Sequence, residues 1–254
     1  MSEIPLPFVI FPLFFFVAFV YSTVGHGGAS GYLALFALFG IATPEIAPVA
    51  LMLNIIVASM SWWRFAKNGY FSWRLLLPFV VTSIPAAFVG GLILISQTTF
   101  LLILGLALLW ASARLAFAEE IKVDAVEMEK GKFGKLWFFG LPIGGGVGVV
   151  SGMVGVGGGI FLSPIILLKK WADAKRTAAV SSAFIVLNSL GGIAGNATRV
   201  SVDYASFVPF AVAVVLGGIL GSYTGAVRVS ARTLQVLLAV VLVIAGVKTL
   251  LKVY

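Results

Sequence analysis

Two glycine-rich stretches within apolar sequence are the features whose residue types and spacing could do chemistry. The longer stretch ends in Gly155-Val156-Gly157-Gly158-Gly159, and ten of the chain's 29 glycines fall between Gly140 and Gly159. The shorter is Gly25-His26-Gly27-Gly28-Ala29-Ser30-Gly31. Glycine costs about 1 kcal/mol relative to alanine inside a helix, and lipid offers no hydrogen-bond partner to a loosened backbone. We therefore expect both stretches to break helices where the backbone is buried in protein or lines a cavity.

Such helix breaks favour the binding of a small oxyanion. The half-helix after a break begins with unpaired backbone N–H groups and a partial positive charge. Because glycine has no side chain, a ligand could approach that backbone closely. The predicted substrate-binding residues are the glycines of the two breaks and polar side chains of the same apolar setting, namely Gly25, His26, Gly27, Gly28, Ser30, Asn54, Gly155, Gly157, Gly158, Gly159, Ser163 and Asn188.

Several of these residues also have a purely structural interpretation. Asn54 and Asn188 could equally serve only to bond neighbouring helices, and His26 could cap a helix. Gly144, Gly148 and Gly152 are spaced by four, so they share one helix face, which favours close helix packing over ligand contact. The consecutive run from Gly157 to Gly159 cannot form a single packing face, which favours a functional loop there.

The rest of the sequence excludes several kinds of chemistry. No Asp, Glu, Lys or Arg lies in the middle of an apolar run, His26 is the only histidine, and there is no cysteine. A cation carrier or proton relay usually needs buried carboxylates, and a metal site needs several converging ligands. We therefore predict no catalytic residues, no metal, no cofactor and no disulfide. Nucleotide binding is also disfavoured, because the glycines match neither dinucleotide nor P-loop patterns.

The elements that must position the breaks are transmembrane helices. The chain is 61% hydrophobic and 10% charged, with a mean hydropathy of +1.12, which is typical of a polytopic membrane protein. The net charge of +8 is better explained by topology-setting loop residues than by nucleic-acid binding. The apolar runs are 4–24, 32–42, 46–63, 75–95, 99–118, 136–154, 160–168, 177–195, 205–227 and 233–251. Runs 32–42 and 160–168 are short, and each follows a glycine stretch.

The pairing of short runs with glycine stretches predicts an internal duplication. Gly25 corresponds to Gly155, Pro78-Phe79 to Pro209-Phe210, and Asn54 to Asn188. We predict an all-α fold with about eight transmembrane segments in two repeats, residues 1–118 and 136–254, joined by a charged cytoplasmic linker at 119–135. Each repeat would contain a Gly-broken or re-entrant helix.

The loop charges favour the re-entrant alternative. If each Gly-interrupted segment is a single span, the 17 basic residues divide 11 to 6 between the two membrane faces. If each segment enters and returns as a hairpin, they divide 14 to 3, which is a clear positive-inside bias. Three further crossings in each half then give the halves opposite orientations. The sequence therefore favours inverted repeats, although a broken single span gives a similar pattern of residues.

Taken together, these residues resemble the TauE/SafE sulfite-exporter family. The pattern G-x-G-G-G between two apolar stretches, duplicated over about 250 residues, carries the resemblance, and Gly155–Gly159 matches it fully. The first copy departs from it, because Ala29 replaces the last glycine.

The resemblance implies export of sulfite, organosulfonates or related sulfur-containing anions across the bacterial cytoplasmic membrane. The expected partners are a small anion and the lipid bilayer, with homo-oligomer formation left open and no nucleic acid. A passive anion channel or a lipid-phosphate scramblase is the alternative to a secondary transporter.

Overall fold

The computed structural model of this chain describes residues 10–41, 43–116, 130–198, 207–227 and 231–253. Within these ranges the chain is helical and contains no β-strand. A short 3-10 turn, Pro44–Ile46, precedes the third helix. The described ranges hold ten α-helices, which in chain order are α1 (Ile10–Thr23), α2 (Ala29–Leu38), α3 (Ala47–Lys67), α4 (Trp73–Leu92), α5 (Gln97–Ala116), α6 (Lys130–Val154), α7 (Gly159–Leu168), α8 (Ala174–Asn196), α9 (Val208–Val227) and α10 (Ala231–Leu251).

Several of these helices match the thickness of a bilayer. A membrane span needs about 20 predominantly apolar residues. Within the described ranges, five helical segments are long and apolar enough to cross a membrane, namely Pro44–Lys67, Trp73–Leu92, Gln97–Arg114, Gly134–Val154 and Lys175–Asn196. Shorter apolar helices, such as Ala29–Leu38, accompany them. The chain is therefore an all-α membrane protein with several spans, while the total of about eight stays a prediction.

Helix α6 begins within the segment predicted as the linker. Residues 119–129 of the predicted linker lie outside the described ranges, and α6 begins at Lys130, before the predicted end of the linker at Lys135. The polar residues from Lys130 onward extend the apolar run as additional helical turns, because lysine is a good helix former. The division of the chain at this linker stays a prediction.

Helix α2 runs back alongside α1. The Phe14 ring of α1 lies 5.2 Å from the Tyr32 ring and 5.1 Å from the Phe36 ring, both of α2. Tyr21 Oη, nearer the end of α1, lies 2.7 Å from Ser30 Oγ at the start of α2. Two helices continuing in one direction would separate Phe14 from Phe36 by roughly 30 Å at 1.5 Å per residue. The chain therefore reverses at the first glycine stretch.

Helix α7 also runs back toward the start of α6. The Lys169 ammonium, just after α7, lies 5.2 Å from the centroid of the Phe139 ring, early in α6. Leu162 and Ile166 of α7 pack in the same core cluster as Leu136 of α6. The second glycine stretch is therefore also a point of reversal.

The two halves of the chain share an order of helices and a set of packing pairs. Helix α4 packs along α6, as α9 packs along α1. Helix α3 pairs with α8, and α5 pairs with α10. If each of the helices α1–α5 is exchanged with the helix five places later in the chain, the same set of packing pairs results.

Glycines bring the paired helices to backbone distance. A Cβ at Gly144, Gly148 or Gly152 of α6 would overlap carbonyl oxygens of α4. Gly217 and Gly221 of α9 approach the carbonyls of α1 in the same manner. The structure thus confirms the packing role predicted for the glycine face of α6, since small residues let helix backbones approach closely.

Loops from both halves lie at one end of the molecule. Lys175, at the start of α8, donates a hydrogen bond from Nζ to Tyr70 Oη of the α3–α4 loop at 3.3 Å. The Arg64 guanidinium, near the end of α3, lies 5.3 Å from the Tyr223 ring near the end of α9. The ends of α3 and α9 therefore share a face with the α3–α4 loop and the start of α8.

Candidate functional site

Each glycine stretch forms a turn that leads into a half-helix. Gly28 precedes α2 with φ 100°, and Gly158 precedes α7 with φ 81°. Gly25, Gly155 and Gly157 also have positive φ angles of 75°, 82° and 78°. These angles cost other residues about 1–2 kcal/mol, so glycine is required by the backbone itself. All five glycines are buried.

Asn54 of α3 connects the two breaks. Its Oδ1 accepts a hydrogen bond from the Ala29 N–H at 3.1 Å and so caps the start of α2. A Cβ at Gly27 would overlap the Oδ1 of Asn54, and a Cβ at Gly157 would overlap its Nδ2. The Asn54 side chain is 1% exposed. One amide therefore touches the backbone of both breaks.

Protein atoms occupy the positions that side chains would take at the glycines of the breaks. The close approach of a ligand to this backbone stays a prediction. Asn54 lies against Gly27 and Gly157, while Ala178 takes the corresponding space at Gly25 and Ala47 takes it at Gly155. The two turns are pressed against helices of the opposite half or against α3. The described conformation is therefore closed around the breaks.

Asn188 of α8 lies at the second break but bonds differently from Asn54. Its Nδ2 donates to Ser151 Oγ at 2.7 Å and to the Gly157 carbonyl at 3.3 Å. Its Oδ1 is buried and has no hydrogen-bond partner among the described residues. Gly159 begins α7, and the first N–H groups of a helix have no acceptor inside the helix. The second break therefore combines the donors of a helix start with an acceptor that lacks a partner among the described residues.

A chain of hydrogen bonds links His26 of the first break to α7 and α8. His26 Nε2 lies 3.0 Å from Ser163 Oγ of α7, and His26 Nδ1 lies 3.2 Å from the Val24 carbonyl. Ser163 also contacts Ser181 Oγ at 2.7 Å and the Gly159 carbonyl at 3.0 Å. Because one hydroxyl carries one proton, Ser163 donates to these acceptors one at a time. The cluster therefore has more than one hydrogen-bonding arrangement.

The structure thus brings Asn54 to glycines of both breaks and His26 to Ser163. Ser30 bonds to Tyr21 of α1 and does not join the cluster of His26 and Ser163. Sequence reasoning missed four buried polar side chains at the breaks: Tyr21, Tyr32, Ser151 and Ser189. Tyr32 Oη donates to the Gly27 carbonyl at 2.9 Å, and Ser189 Oγ accepts from Asn54 Nδ2 at 3.2 Å. The two tyrosines lie within apolar runs beside the first glycine stretch, and this position in the sequence could have identified them as polar groups of the site.

The chemistry of these contacts comes from backbone amides, hydroxyls, carboxamides and one imidazole. Within the described residues, no group of three His, Cys, Asp or Glu side chains could hold a metal ion. N–H and O–H donors can bind an anion without a fixed positive charge, as helix N-termini do in membrane transporters.

Comparisons with known proteins agree on the class of this chain. The family model described as sulfite exporter TauE/SafE matches residues 10–249. A protein of Sinorhizobium fredii, named as a probable membrane transporter, is 35% identical over 238 residues, which cover 93% of this chain and 95% of that protein. A protein of Methanocaldococcus jannaschii with the same descriptive name is 24% identical over 263 residues, covering 96% of each. No solved structure matches this chain.

Proposed function

Since the chain belongs to the TauE/SafE sulfite exporter family, we propose that it is a secondary transporter that exports small sulfur-containing anions. Its relatives are named as membrane transporters, which indicates transport rather than enzymatic catalysis. Sulfite and organosulfonates are the proposed substrates, and the bacterial cytoplasmic membrane is the proposed location.

The proposed architecture is a pair of inverted repeats, each containing a re-entrant hairpin. Helices α1 and α2 form the first hairpin, and α6 and α7 form the second. The contact between Lys175 and Tyr70 supports this topology, because single spans would put their two loops on opposite faces of the membrane. The exchange symmetry of the helix pairs supports the duplication.

The proposed substrate site lies where the two breaks meet. The observation that carries this proposal is the contact of both breaks with Asn54, together with the bond between His26 and Ser163. Residues of both halves therefore surround one buried point, as in repeat-built transporters whose substrates bind near the bilayer midplane. Neutral donors would hold an oxyanion there without the strong attraction of a fixed cation. Rocking of one half against the other would expose this point to each side in turn.

Flux measurements distinguish this proposal from its alternative. Purified protein in liposomes should take up sulfite at a rate that saturates with sulfite concentration, whereas chloride, as a control anion, should not enter. A channel would give a sulfite flux that rises linearly. A scramblase would move a fluorescent lipid between leaflets without any sulfite flux. Either of these two results would contradict the transporter proposal.

A further inference from the structure

We propose that the transported anion binds at the second break and must carry its own hydrogen-bond donor, as hydrogen sulfite does. This inference rests on the proposed transport function and narrows its substrate class. It follows from a difference between two asparagines that occupy corresponding places in the two halves, Asn54 and Asn188.

At the first break, the position of an anion is already taken. The N–H that begins α2, on Ala29, donates to Asn54 Oδ1 at 3.1 Å. The amide oxygen carries a partial negative charge and stands where an anion oxygen would accept the same bond. Asn54 is therefore an internal substitute for the ligand at the first break.

At the second break, the corresponding asparagine does not take this position. Gly159 begins α7 as Ala29 begins α2, so its N–H has no acceptor inside the helix. Asn188 does not cap it, because its amide turns its donor group toward the Gly157 carbonyl and Ser151. An anion oxygen can therefore accept a hydrogen bond at the start of α7.

The remaining atom of Asn188 sets the second requirement. The amide cannot be reversed, since a group that faces the Gly157 carbonyl at 3.3 Å must be a donor. Oδ1 is thus an acceptor, and it lies on a side chain that is 1% exposed and has no partner among the described residues. A buried acceptor without a donor is unfavourable. The ligand that fills this place should bring an O–H or N–H group.

Hydrogen sulfite combines the two properties. Its negatively charged oxygens can accept from the N–H groups at the start of α7, while its hydroxyl donates to Asn188 Oδ1. Fully deprotonated sulfite has acceptors alone, and so does an alkyl sulfonate without a hydroxyl or amine. These two anions would leave Oδ1 without a donor.

The first test compares competitors on the wild-type protein. Exchange of labelled sulfite is measured in liposomes with the same pH on both sides, with unlabelled sulfite or methanesulfonate as competitor. At pH 6.5, the inhibition constant of methanesulfonate should be at least about tenfold higher than that of unlabelled sulfite, because methanesulfonate lacks a hydrogen-bond donor. At pH 8.5, where sulfite is mostly deprotonated, the advantage of sulfite should shrink.

Methanesulfonate also controls for titration of the protein. It does not change protonation over this range, so a change with pH in its inhibition constant, corrected for the affinity of labelled sulfite at each pH, reports titratable groups at the breaks. Those groups are His26, which bonds Ser163, and the tyrosines Tyr21 and Tyr32. Equal competition by the two anions at pH 6.5, or a sulfite advantage that grows with pH, would overturn the inference.

The second test removes the acceptor. Asn188→Leu keeps the branching and the number of heavy atoms of the side chain but has no Oδ1, so the ratio of the inhibition constants of methanesulfonate and sulfite should fall to about threefold or less. Ser182→Ala on the same helix is the control, because Ser182 Oγ donates to the Ala179 carbonyl of its own helix, and its ratio should stay as in the wild type. An unchanged ratio in Asn188→Leu would mean that water, not the substrate, partners Oδ1. Absence of all sulfite exchange in the wild type would instead refute the transport function itself.

Discussion

The substitution Gly157→Ala tests whether the two breaks are locked together through Asn54. Gly157 has φ 78°, so alanine costs about 1–2 kcal/mol from the backbone alone. Its Cβ would also overlap Asn54 Nδ2 and displace the amide that caps Ala29. Leaving that buried N–H without an acceptor costs about 1–3 kcal/mol more. The expected loss of unfolding free energy is therefore about 2–5 kcal/mol.

Gly69→Ala supplies a matched control for this prediction. Gly69 has φ 80°, and a Cβ there would meet nothing within 4 Å. The Gly69→Ala variant should therefore lose only about 1–2 kcal/mol of unfolding free energy, which is the cost of the backbone conformation. Thermal unfolding of both variants in detergent, with sulfite flux in liposomes, measures the difference. Equal stability and equal flux of the two variants would refute the coupling of the breaks through Asn54.

Three other expectations concern different parts of the structure. Asn54→Leu removes the acceptor that caps α2, so we expect it to lose at least about 1–3 kcal/mol in thermal unfolding and most of its sulfite flux; wild-type flux would contradict the role of this amide. Gly148→Leu should prevent the close packing of α6 on α4, so detergent extraction should yield aggregated protein. Gly146→Leu is the control, because a Cβ at Gly146 would meet nothing within 4 Å, and this variant should be monodisperse in detergent. The single variants Tyr70→Cys and Lys175→Cys, in this naturally cysteine-free chain, should both react with a membrane-impermeant thiol reagent from the cytoplasmic side, because the two side chains are in contact; labelling of the two on opposite faces would contradict the re-entrant topology.

The sequence predicts the helices of this protein well, because membrane thickness and backbone hydrogen bonding leave few alternatives for an apolar run. The short runs at 32–42 and 160–168 correspond to α2 and α7. A close-packing face on α6 was also predictable, since Gly144, Gly148 and Gly152 lie four residues apart, but its partner α4 was not. The start of α6 at Lys130 was not predictable either, because a charged segment carries no apolar period.

The details of the site could not be read from the sequence. Asn54 contacts Gly157 and Ser189, which are more than a hundred residues away, and no local pattern encodes such a pairing. The glycine runs predicted helix breaks, but not that Asn54 would fill the space beside Gly27. The different bonding of Asn54 and Asn188 depends on how each amide is turned, and both residues appear in the sequence as the same letter.

The central claim, that a sulfur anion crosses the membrane through the meeting point of the breaks, is tested most directly by one flux measurement. Sulfite uptake is compared in liposomes containing equal amounts of wild-type protein, Gly158→Leu and Gly146→Leu. A Cβ at Gly158 would meet Phe184 and Val147 at 2.8 Å, whereas one at Gly146 would meet nothing within 4 Å. We predict saturable uptake by the wild type and Gly146→Leu, and none by a correctly inserted Gly158→Leu. Full uptake by Gly158→Leu would contradict the account.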